Sequence, residues 1–76
     1  MSDYHKKLSK LVFAGKTGQE FRISYWEQMA GWLKLHTNTY TILAIWPFWL
    51  EVEDEYEKKH YILYGCIEEA HEIKSK

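Results

Sequence analysis

A single cysteine, Cys66, is the feature that most limits how this chain can hold a fold. No disulfide can close within it. A structural zinc would need Cys and His at ligand spacing. His5, His36, His60 and His71 show no such spacing. A chain this short buries only ~60% of the surface its unfolded form exposes. Without staples, such a domain depends on good packing or on oligomerisation. The packing material here is aromatic: four Trp, six Tyr and three Phe. One large aromatic buries ~150–250 Å² when internal, so a few of them suffice for a small core. The surplus is expected at the surface, where Trp and Tyr are typical interface anchors.

Seventy-six residues make one domain, spanning residues 1–76, with the polar residues 1–7 expected to fray. Residues 8–14 are apolar enough for a strand. Gly15 and Gly18 supply turn chemistry, and residues 19–23 alternate, with Phe21 and Ile23 on one side. Two such runs around a glycine-containing loop predict a β-hairpin. Ser24 and Glu27 fit a capping box. Tyr25, Met29, Trp32, Leu33 and His36 then recur at three- and four-residue steps, which predicts a helix over residues 24–36. Asn38 is placed to end it in a left-handed cap. Residues 40–46 are β-branched and aromatic, and predict a third strand stopped by Pro47.

The last third has two readings. As a helix from Pro47, residues Phe48, Trp49, Val52, Tyr56, Leu63, Cys66, Ile67, Ala70 and Ile73 share one broad face. Early acids and the late Lys74 and Lys76 suit the helix dipole. The competitor is a hairpin over residues 49–67 with its turn near Glu57, Lys58 and Lys59. The helix is favoured, so the expected fold is α+β in the order ββαβα: hairpin, helix, third strand and a long C-terminal helix.

No catalytic constellation assembles. Gly15-Lys16-Thr17 reads like the end of a phosphate-binding loop, but the upstream glycine that loop requires is replaced by Lys10. Glu68 and His71 make one Glu-x-x-His step, a quarter of a di-iron site. Cys66 with His60 or His71 lacks the orienting third group and the electropositive setting of a reactive thiolate. The chain is therefore expected to be no enzyme and to need no cofactor or metal.

The net charge is −1, which argues against a general nucleic-acid coat. The charge is unevenly spread. Residues 1–47 hold six Lys/Arg and three Asp/Glu, whereas residues 48–76 hold four and eight. Such asymmetry marks partner surfaces or head-to-tail contacts, as well as ordinary solvated faces. The acids Glu51, Glu53, Asp54, Glu55 and Glu57 form the densest cluster, suited to a basic protein partner. Beside them, Trp46, Phe48 and Trp49 flank Pro47 at a rigid corner. These eight residues are the candidate partner-binding set, with the aromatics as anchors and the acids as an electrostatic guide.

The expected function is a small protein-binding module that modulates or inhibits a larger partner. The alternative is a nucleic-acid-binding regulator. It would use Lys6, Lys7, Lys10, Lys16 and Arg22, with Tyr4, Phe13 and Phe21 stacking on bases. That basic footprint is weak. Homo-oligomerisation is left open. No apolar run approaches the ~20 residues of a membrane span, and a lone free cysteine suits the cytoplasm.

Overall fold

The computed structural model describes residues 11–74. The architecture is one five-stranded antiparallel sheet: β1 (Glu20–Met29), β2 (Trp32–Ile45), β3 (Trp49–Glu53), β4 (Lys59–Leu63) and β5 (Ile67–Glu72). The strand order is β4-β3-β2-β1-β5, and a short 3-10 turn, Tyr64–Cys66, joins β4 to β5. The expected α+β fold is thereby corrected.

The helix over residues 24–36 is absent, and period-two alternation replaces it. Phe21, Ile23 and Tyr25 point inward on β1, opposite Tyr40, Asn38 and His36 of β2. Ser24 caps nothing; its Oγ lies 2.9 Å from Thr37 Oγ1, its cross-strand partner. Gly31, at φ 82°, takes the left-handed conformation that closes the β1–β2 hairpin in two residues. The capping-box spelling was satisfied, but a local cap contributes only ~1 kcal/mol, less than burying one further large apolar side chain.

The long C-terminal helix is likewise absent. Leu50 and Val52 on β3 and Ile62 on β4 are buried, while Trp49, Tyr61 and Leu63 are exposed. This alternation is that of two half-buried strands. The helical stripe had mixed residues from both faces. β3 and β4 instead form a hairpin whose turn runs from Asp54 to Lys58.

The expected first hairpin does not form. Leu11, Val12 and Phe13 carry helical backbone, and residues 19–23 pair with β2 and β5 instead. The rest of the expected first strand, and residues 1–7, expected to fray, lie outside the described residues. The strand expected over 40–46 forms the second half of β2, ending at Ile45.

Chain length forces the sheet to curl. β4 and β5 lie at opposite edges, four strand spacings or ~19 Å apart if the sheet were flat. Only Tyr64–Cys66 separate them, a reach of at most ~14 Å even fully extended. The edges must therefore approach each other. Register shifts between Ser24 and Tyr25, and between Ile42 and Ala44, supply local bending. Inside the curl sit ten buried residues: Phe13, Phe21, Ile23, Tyr40, Ile42, Leu50, Val52, Ile62, Tyr64 and Ile67. Phe13 plugs the core, its ring 4.9 Å from that of Phe21 and 6.4 Å from Tyr64.

Candidate protein-binding surface

The aromatic corner is built by β2 ending and β3 beginning four residues later. The Trp46 N–H donates to the Trp49 carbonyl at 3.0 Å, which closes the turn around Pro47 and Phe48. Buried Tyr64 pins it from below: its hydroxyl donates to the Trp46 carbonyl at 2.7 Å and its N–H to the Phe48 carbonyl at 3.4 Å. Burial raises the Tyr64 phenol above its ordinary pKa, so it remains a donor. With the backbone held, the side chains point out. Trp46 is 46% exposed, Phe48 70% and Trp49 38%. Trp26 and Trp32, on the other hairpin, are exposed as well.

Two residues that sequence reasoning missed extend the corner. Leu63 stands opposite Trp49, and Tyr61 opposite Glu51, on the outer face of the β3–β4 hairpin. Both are exposed. Their alternation with Ile62 was the available signal, masked by the helical assignment.

The acids divide into two groups. Glu51 accepts the Trp46 indole N–H at 2.9 Å and lies 3.8 Å from Lys59, so it orients the corner. Glu53 faces Lys59 across the hairpin. Glu55 and Glu57 are exposed at the turn. Asp54 is tied into the hairpin turn. Its Oδ1 accepts the Tyr56 N–H at 2.8 Å and the Lys58 N–H at 3.0 Å, and its Oδ2 lies 2.8 Å from His60 Nε2. The His60 bond, followed by the backbone donors, holds its carboxyl below the usual pKa.

A row of rings links β4, β2 and β1. His60 meets Tyr40 edge-on at 5.6 Å, and Tyr40 lies 6.2 Å from Tyr25. Tyr25 stacks on His36 at 5.2 Å, and His36 pairs with Glu27. Burial, and then the hydrogen bond with Tyr40, raise the Tyr25 phenol above its ordinary pKa. These contacts serve packing, and no nucleophile sits among them.

The other sequence candidates separate. Lys16 pairs with Glu72 at 2.9 Å, in a turn where Gly15 and Gly18 take positive φ. Phe13 and Phe21 are fully buried and offer no ring to a base. With the hairpin unformed, the basic N-terminal surface is not assembled among the described residues; Tyr4, His5, Lys6, Lys7 and Lys10 lie outside them. Glu68 accepts the Trp26 indole N–H at 3.0 Å, and the exposed His71 lies near Glu69, so the Glu68–His71 step is not a ligand pair. Cys66 and His60 both line one cleft, but His60 is committed to Asp54. Among the described residues no His, Cys, Asp and Glu group is arranged to hold a metal ion, and no helix is long and apolar enough to cross a membrane. Comparison of the chain with protein-family models, with curated proteins and with solved structures finds no match in any of the three.

Proposed function

We propose that this chain is a non-enzymatic binding module that modulates or inhibits a larger protein, acting in the cytoplasm. Trp46, Phe48 and Trp49 are the anchors, extended by Tyr61 and Leu63. One observation carries the reading. A corner of three large aromatics is exposed although its backbone is pinned by Tyr64. Exposed apolar patches of this kind mark interaction sites. Rigid aromatic anchors also lose little conformational entropy on binding. Glu51 sits within the patch beside Trp46, and Glu53, Glu55 and Glu57 carry negative charge toward the far end of the same hairpin, which favours a basic partner and acts mainly on association rate and specificity.

The test is affinity capture from the native host lysate with tagged protein, beside Phe48→Ala and a Glu55→Lys/Glu57→Lys double variant. The reading expects one stoichiometric protein, lost with Phe48→Ala and captured more slowly by the charge variant. Nucleic acid in the eluate, or a partner indifferent to Phe48, counts against it.

A further inference from the structure

The curl leaves a second feature beside the aromatic corner. A cleft of about 420 Å³ is lined by residues 25–28 of β1 and residues 59–63 of β4, with Cys66. Consecutive side chains on a strand point to opposite faces. A cleft lined by unbroken runs from two strands therefore lies along their edges, not above a face. β5 covers β1 only from Phe21 to Tyr25, and β4 is an outermost strand. Among the described strands, the β1 edge from Trp26 to Met29 and the outer β4 edge thus have no neighbour.

Chain direction sets the shape. β4 and β5 both run antiparallel to β1, and they are consecutive apart from the Tyr64–Cys66 turn. The β5 half of that run pairs with β1, while the β4 half pairs with β3. The two open edges therefore converge at Cys66, where Ile67 lies opposite Tyr25, and splay apart toward Met29 and Lys59.

Open strand edges present rows of N–H and C=O groups that another extended backbone satisfies. The five residues of β4 match a peptide segment ~17 Å long. Charge points to the kind of segment. Glu27 lines the β1 wall, paired with His36 and facing Lys34 on β2, and Glu68 accepts the indole N–H of Trp26, another lining residue. The cation on the other wall, Lys59, is offset by Glu51 at 3.8 Å and faces Glu53. Around the cleft, Glu27, Glu51, Glu53 and Glu68 outnumber Lys34 and Lys59, which leaves a surplus of negative charge.

We infer that this cleft takes an extended, basic peptide segment of a partner protein, added as a strand antiparallel to β4, with a Lys or Arg side chain against Glu27 and Glu68. Trp46, Phe48 and Trp49 do not line it; Tyr61 and Leu63, which extend the aromatic corner, also line this cleft, so Phe48 is the residue that tells the two sites apart.

The probe is a phage-displayed library of random linear heptapeptides, panned on the full chain, followed by synthesis of the enriched peptides. The inference expects peptides that alternate apolar and polar residues and carry Lys or Arg. Their binding should slow amide hydrogen exchange at alternate β4 residues. Affinity should fall about tenfold or more with Glu68→Lys, with Glu27→Lys and with alternate N-methylation of the peptide, and hold with Phe48→Ala. Three results would overturn it. These are no enrichment at all, peptides lost with Phe48→Ala that leave β4 exchange unchanged, and β4 protection that rises with protein concentration alone because a second copy fills the cleft.

Discussion

Trp49 and Leu63 stand directly opposite each other on β3 and β4, and both side chains face out. The residues next to them, Leu50 and Ile62, are likewise opposite each other and fully buried. One hairpin thus separates core from exposed surface by a single residue step. The same step makes the proposed binding role and stability separable by mutation.

Phe13→Ala and Phe48→Ala should therefore behave as opposites. Phe13 is fully buried between Phe21 and Tyr64, and its loss should cost ~3–5 kcal/mol. That is comparable to the whole stability of a small domain. Phe48→Ala should stay within ~0.5 kcal/mol of the parent. Urea unfolding of both variants checks this. Equal destabilisation would mean that the corner belongs to the core.

Glu57 offers a stabilising change. It holds φ 66°, a left-handed conformation that costs a non-glycine residue ~1–2 kcal/mol. The turn has the form of a three-residue hairpin loop ending in such a residue, where Gly is preferred. Glycine carries an entropic cost of its own, ~0.5–1 kcal/mol. Glu57→Gly should still gain ~0.5–1 kcal/mol, and a gain of ~1 kcal/mol raises Tm by ~4–8 °C in a domain of this size. Calorimetry gives the answer directly.

Asp54 ties stability to acid pH. Its carboxyl is held below the usual range, first by His60 and then by the Lys58 and Tyr56 N–H groups. A depressed carboxyl contributes stability that is present above its unfolded pKa, ~3.9, and that is lost as pH falls through the folded value. The chain should lose stability below about pH 4. Asp54→Asn should lower stability at neutral pH and flatten that acid limb in a denaturation series across pH.

Tyr25 works in the other direction. Burial and the Tyr40 bond raise its phenol, and burial raises that of Tyr64. A raised phenol contributes stability that is present below the unfolded value, ~10, and lost as pH rises beyond it. Tyr25→Phe should shrink the alkaline loss of stability, followed by tyrosinate absorbance during alkaline unfolding.

The sequence carried the aromatic corner plainly but not the architecture around it. Trp46, Phe48 and Trp49 flank a proline, and a proline stops a strand wherever it falls, so their prominence survived an incorrect fold. The helix over 24–36 failed because Tyr25, Met29, Trp32 and His36 satisfy helical steps and also lie on one face of a two-residue hairpin. The left-handed Gly31 and Leu33, which falls on the other face of the hairpin, separate the two readings, and an isolated glycine weakens a helix without excluding it. Tyr61 and Leu63 were hidden for the same reason. Asp54 could not be told from its acidic neighbours, because its role depends on where the hairpin turns. The curl follows from joining opposite sheet edges by three residues, a fact about strand order that periodicity does not contain.

The most direct test of the aromatic surface is a photo-crosslinking residue placed at position 48, with a control at position 69 on the far edge strand, both exposed to native host lysate. The account predicts one discrete protein adduct from position 48 and none from position 69. Equal labelling from both positions, or no adduct from position 48, would contradict it.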